Sequence, residues 1–238
     1  EGHDGVLKVL WKWGADLNIA NDQGGTPAFA AAQNGHAGVL ETLKKGGADL
    51  NKALKSGETP AFVAAQNGHI KALKKLKKLG ANLDIVNSYG QTLSSIAAQN
   101  GHVAILEKLG KWGADLNKAL KTGETPAYFA AQNGHDDVLK MLKKLDADLN
   151  IVDSKGQTLA CVAAKLGQIT VLKTLKELGE NLTKGNSNGI TPAFIAAHNG
   201  NVAILKLLRE LEPDADLNKT DNDGIPLAFI AAQNNHPM

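Results

Sequence analysis

The sequence predicts an all-α solenoid of stacked helix–turn–helix repeats, and three observations carry that prediction. Ala-Ala recurs at 31–32, 64–65, 97–98, 130–131, 163–164 and 196–197, each 33 residues after the last, and returns at 231–232 after 35. A fixed period of that size marks one supersecondary unit copied and stacked. Leucine pairs at i, i+3 keep the same beat, as at Leu40 and Leu43, Leu73 and Leu76, Leu106 and Leu109; that spacing is one apolar stripe on a helix. Hydrophobic residues make up 43% of the 238-residue chain but aromatics only 4%, so the core must be built from Ala and Leu, which suits thin, closely packed helices.

Each repeat can be followed in order. A glycine opens it, at Gly24, Gly57, Gly90, Gly123, Gly156, Gly189 and Gly224, where a tight hairpin turn needs positive φ. Thr-Pro comes next at 26–27, 59–60, 125–126 and 191–192. Threonine is a good N-cap and proline is tolerated in the first turn, so each pair starts a first helix. Gly-His then breaks that helix and reverses the chain, at 2–3, 35–36, 68–69, 101–102 and 134–135. The leucine stripe defines the second helix. Gly-Ala-Asp-Leu-Asn, as at 47–51 and 113–117, closes the repeat as a loop leading to the next turn.

The combined motif, G-x-T-P, then A-A-x-x-G-H, then L-x-x-L, then G-A-D-x-N, resembles the ankyrin repeat and covers essentially all 238 residues. The resemblance implies a β-turn finger, two antiparallel helices and a long loop per repeat, with fingers and first helices forming a concave face. Six full repeats are counted, at 19–51, 52–84, 85–117, 118–150, 151–183 and 184–218, with partial repeats at 1–18 and 219–238, all in a single domain spanning 1–238. The pattern departs from the usual Leu-His-Leu after Thr-Pro, which is here Ala-Phe, as at Ala28-Phe29 and Ala193-Phe194. A 66-residue period overlies the shorter one: Lys52-Ala53-Leu54-Lys55 returns at 118–121, and Gln91-Thr92-Leu93 at 157–159. Neither end reads as a polar cap, which points to a longer array or to ends covered by partners.

Composition bounds the chemistry. Formal net charge is +2, so bulk charge predicts no nucleic-acid or membrane partner. No apolar run approaches the roughly 20 residues of a membrane span. One cysteine, Cys161, rules out an internal disulfide, and an intracellular setting is expected. Six of seven histidines share one repeat position: His3, His36, His69, His102, His135 and His236. Equivalent positions on stacked helices lie about 8–10 Å apart, whereas zinc needs three or four ligands about 2.0–2.3 Å from one ion. The ladder therefore reads as turn and inter-repeat hydrogen bonding, and no metal or cofactor is expected. Only His198 departs, standing where Gln33, Gln66, Gln99 and Gln132 stand elsewhere. Cys161 replaces Phe29, Phe62 and Phe194, so it should pack as a small buried apolar group. No catalytic constellation is visible, and the chain is not expected to be an enzyme. The lysine-rich second helices, as at Lys71, Lys74, Lys75, Lys77 and Lys78, read as a solvated outer face.

Residues that break the pattern are free of the folding role that the recurring ones carry. Tyr89 is an aromatic finger tip; Ile190 and Ile225 replace polar Glu58, Gln91, Glu124 and Gln157; Lys165 and Leu166 replace Gln-Asn; Trp13 and Trp112 stand where Leu79 and Leu145 stand elsewhere. Exposed Tyr and Trp are favoured interface anchors. These seven are the candidate contact residues of a non-catalytic scaffold that holds a protein partner along its fingers and concave face, or serves as a subunit of a larger assembly. Two rival readings stand beside it: an asparagine-hydroxylation substrate through the Asp-Leu-Asn loops, which resemble that modification site in some ankyrin proteins, and a purely architectural linker.

Overall fold

The computed structural model describes residues 4–234; His3 and His236 lie outside that span. The described residues form fourteen helices and no sheet, the all-α repeat solenoid that the period predicts. Contacts divide the chain into two compact units, Glu1–Asp115 and Leu116–Met238. The first unit holds α1 (Asp4–Lys12), α2 (Pro27–Gln33), α3 (Ala37–Lys45), α4 (Pro60–Gln66), α5 (Ile70–Lys78), α6 (Leu93–Gln99) and α7 (Val103–Lys111). The second holds α8 (Pro126–Asn133), α9 (Asp136–Lys144), α10 (Leu159–Leu166), α11 (Ile169–Glu177), α12 (Pro192–His198), α13 (Val202–Leu211) and α14 (Leu227–Gln233). Among the described residues no helix is long and apolar enough to cross a membrane.

Each first helix starts where the threonine puts it. Thr59 Oγ1 accepts the Phe62 amide at 3.3 Å, Thr92 Oγ1 the Ser95 amide at 3.0 Å and Thr158 Oγ1 the Cys161 amide at 3.2 Å, satisfying a donor that the first helical turn leaves unpaired. Proline follows at N1 in α2, α4, α8 and α12. At α14, Pro226 takes the cap position and makes no such bond.

Within each unit, first helices pack on first helices and second on second, as α2 on α4 on α6 and α9 on α11 on α13. The Ala-Ala pairs lie in these seams: Ala64, Ala65, Ala97, Ala98, Ala163 and Ala164 are fully buried. A side chain no larger than methyl lets the backbones approach closely. The leucine stripe fills the space between the two helix layers, with Leu40, Leu43, Leu73, Leu76, Leu139, Leu142 and Leu172 at 0% exposure. Leu10, at the same repeat position as Leu43 and Leu76, is 41% exposed; among the described residues α1 packs mainly on α3.

Polar groups link successive repeats. The His69 ring sits against Gly35, where a Cβ would come within 2.9 Å of Nδ1, and its Nε2 meets the Gln33 carbonyl at 3.0 Å. His102 repeats this on Gly68 and the Gln66 carbonyl at 2.8 Å, and Gln168 on Gly134 and the Gln132 carbonyl at 3.2 Å. The Gly-His pairing is thus a contact between neighbours: the glycine of one repeat makes room for the histidine of the next. Among the described residues no three His, Cys, Asp or Glu groups are placed to hold a metal ion. Loop asparagines do the same work lower down. Asn18 Oδ1 accepts the Asp49 amide at 2.7 Å, Asn51 Oδ1 the Asn82 amide at 2.8 Å and Asn117 Oδ1 the Asp148 amide at 2.9 Å. Fingers join through backbone bonds, such as Ser88 N to Ser56 O at 3.0 Å and Ser154 N to Thr122 O at 2.9 Å. On the outer face Glu41 pairs with Lys75 at 2.7 Å, and Glu180 with Lys143 at 2.8 Å.

Three positions depart from the pattern. Asp146 has φ 61°, where other repeats use Gly47, Gly80, Gly113 and Gly179. Gly46 stands where leucine or tryptophan stands elsewhere; a Cβ there would lie 2.5 Å from Leu17 Cδ1 and 3.3 Å from the Trp11 ring. Cys161 is fully buried, as its alignment with phenylalanine predicts, and its Sγ lies 3.6 Å from the Ile190 carbonyl. Burial pushes its thiol above the ordinary value.

Three outcomes follow. Leu76→Ala should cost about 2–5 kcal/mol in chemical denaturation, and Leu10→Ala about 1 kcal/mol or less; equal losses would contradict the burial difference. Asp146→Gly should raise stability by about 0.5–1 kcal/mol, since an L side chain in the left-handed region costs about 1–2 kcal/mol, partly offset by glycine's greater unfolded freedom. Cys161 should resist iodoacetamide at neutral pH in the native chain and react on unfolding. Because its folded pKa is raised, the stability linked to the protonated thiol is present below the ordinary thiol range and lost as pH rises through the folded value.

Candidate functional site

In the second unit a depression of about 290 Å³ opens beside the finger at 186–190. Its apolar wall comes from Ile190 on the finger, Phe194 and Ile195 on α12, and Ile230 on α14; Lys165 from α10 and His198 from α12 bring polar groups to it. Two of the candidate residues, Lys165 and Ile190, therefore meet at one place.

The finger holds Ile190 firmly. Asn186 Oδ1 accepts the Ile190 amide at 3.0 Å, and the Ile190 carbonyl accepts the Asn186 amide at 3.0 Å. That reciprocal pair is an Asx-type turn closed on itself. Its other contact, with Cys161 Sγ, ties the finger to the core. Lys165 is exposed at the last turn of α10, and its carbonyl accepts Asn199 Nδ2 at 3.5 Å. His198 Nδ1 lies 3.1 Å from Asn199 Oδ1. Asp221 also lines the depression, but its Oδ1 is engaged by the Ile225 amide at 2.9 Å and the Asp223 amide at 3.0 Å. The arrangement is an apolar hollow with an exposed ammonium at its edge, suited to an apolar side chain with an acidic neighbour.

The remaining candidates lie elsewhere. Leu166, one residue past Lys165 on α10, is 48% exposed. Ile225 is half-buried in the next finger, its amide on Asp221. In the first unit Tyr89 is 72% exposed at its finger tip, with its amide on Asn87 Oδ1 at 3.1 Å. Trp13 is 80% exposed beyond α1. Trp112 is half-buried and caps α7, its amide turned back onto the carbonyls of Lys108, Leu109 and Gly110.

Of the ten residues that line the depression, eight are not among the candidate contacts read from the sequence. His198 was visible as an off-pattern histidine. Phe194 and Ile195 follow the repeat pattern and so read only as core, and Ile230 carries no mark of its own.

A comparison with curated proteins gives no match. A family model described as ankyrin repeats (3 copies) matches residues 1–87, 38–119, 94–186 and 161–238, which together span the chain. Ankyrin repeats are generally protein–protein interaction modules, and the family is typically non-catalytic. With capped first helices, buried Ala-Ala seams and Gly-His contacts in the places the motif requires, the chain belongs to the ankyrin-repeat family.

Proposed function

We propose that this chain is a non-catalytic scaffold that binds a protein partner through its fingers and first helices, with the hollow at Ile190 and Lys165 as the principal contact in the second unit. The observation that carries this reading is convergence: three residues that break the internal pattern, Lys165, Ile190 and His198, line the same depression. In the first unit Tyr89 offers a separate aromatic anchor, held out from its finger and well exposed. A partner that fits the second-unit hollow presents an apolar side chain next to a carboxylate. Burying that side chain supplies affinity, and pairing with Lys165 sets orientation and association rate.

The partner is to be captured from the native source and the complex reconstituted with purified components. Ile190→Ala and Lys165→Ala should each weaken binding by roughly tenfold or more, the loss expected of hot-spot residues, while circular dichroism stays unchanged. Only the effect of Lys165→Ala should shrink with added salt. Wild-type affinity in both variants would refute the choice of surface.

A further inference from the structure

The loop after α13 carries Glu212-Pro213-Asp214 where the preceding repeat has only Gly179. In that preceding repeat, Gly179 takes φ 80° and the Glu180 amide bonds back to the Leu175 carbonyl at 2.9 Å. The same backward bond recurs as Ala48 to Leu43 and Ala147 to Leu142. With that bond the loop folds onto its helix and its leucine turns inward in most repeats: Leu17, Leu50, Leu149 and Leu182 are only 2–4% exposed and Leu116 7%, while Leu83 is half-buried. After α13 the bond is replaced. Ala215 N turns instead to Glu212 O at 3.1 Å, and Leu217, the corresponding leucine, stands 48% exposed.

A cavity marks the change. Leu149, Thr158, Ala160 and Leu175 line a gap of only about 20 Å³ in one repeat. Their counterparts 33 residues on, Leu182, Thr191, Ala193 and Leu208, line an opening of about 370 Å³. The walls are nearly the same residue types in the same register. The loop that elsewhere closes over them is displaced, and the space falls in the range of ligand-binding clefts.

We propose that this slot is a receptor for a leucine-type side chain presented on an extended segment of a partner polypeptide. The occupant is argued from the fold itself, because equivalent walls in other repeats are closed by a leucine on an irregular loop. The volume also admits the residues flanking that leucine. Arg209 and Lys219 line the slot together with Glu212, Asp214 and Asp216. Glu212 is paired with Lys176 at 2.8 Å and Asp216 Oδ1 accepts the Asn218 amide at 2.8 Å, so both signs of charge stand at the rim and the leucine, flanked as in the chain's own Asp-Leu-Asn loops, carries the recognition. The slot goes beyond the finger-face reading and stands without it.

The test uses the full chain and a fluorescein-labelled peptide, Ala-Asp-Leu-Asn-Lys, copied from residues 48–52. Anisotropy should show saturable binding that weakens at least roughly tenfold when the peptide's leucine becomes alanine, as the loss of a buried leucine side chain requires. Replacing Glu212-Pro213-Asp214 by one glycine restores the loop length of the other repeats and should abolish binding with an unchanged circular dichroism spectrum. Ala193→Leu, which fills the slot without altering the loop, should weaken it likewise. Ile190→Ala should leave it intact, which separates this site from the finger face. Absence of saturable binding overturns the proposal, as does equal affinity for the leucine and alanine peptides, or binding that survives both slot variants. Competition by a small apolar solute with no leucine-dependent peptide binding also overturns it.

Discussion

Helices of seven and nine residues do not stand alone in water. Isolated helices shorter than about 12–15 residues are marginal, and α4 and α5 fall well below that. What holds them is burial against the helices of neighbouring repeats, and every other feature serves that contact. Alanine at the first-helix seams lets backbones approach, and the leucine stripe closes the space between layers. The histidine and asparagine ladders satisfy carbonyls and amides of turns and loops that the helices cannot. The difference between Leu10 and Leu76 illustrates this: α5 packs on both α3 and α4 and Leu76 is fully buried, whereas Leu10 on α1 is 41% exposed.

Much of this was legible in the residues, because each recurring position does one local job. Threonine N-caps, the Gly-His reversal, the leucine stripe and the burial of Cys161 all follow from rules that act within a few residues or between identical copies. The shared histidine position pointed to inter-repeat hydrogen bonding, and the partner carbonyls at Gln33 and Gln66 show that contact for His69 and His102. The candidate contact residues were found by subtraction, as positions off the pattern. Subtraction does not say which of them meet. Lys165 and Ile190 share a hollow, whereas Leu166 and Ile225 are neighbours in sequence or in repeat position without lining it.

Other features needed coordinates. Phe194, Ile195 and Ile230 obey the pattern and still reach the hollow, so periodicity hides them. The loop at 212–214 shows in the sequence as extra length, but not that the Ala215 amide turns to the Glu212 carbonyl, nor the opening beneath Leu217. The boundary between the two compact units at Asp115 and Leu116 falls inside an unbroken Gly-Ala-Asp-Leu-Asn motif.

Gly46 carries a consequence for how freely such repeats can be exchanged. Its missing side chain is matched to Leu17 and Trp11 from the preceding partial repeat, which occupy the room a leucine would take. A repeat lifted from 52–84 and placed at 19–51 would bring Leu79 into that room and collide. The modules are therefore cut to their addresses: alike in pattern, each is fitted to the neighbour it touches, and shuffling them would require re-cutting both sides of the joint.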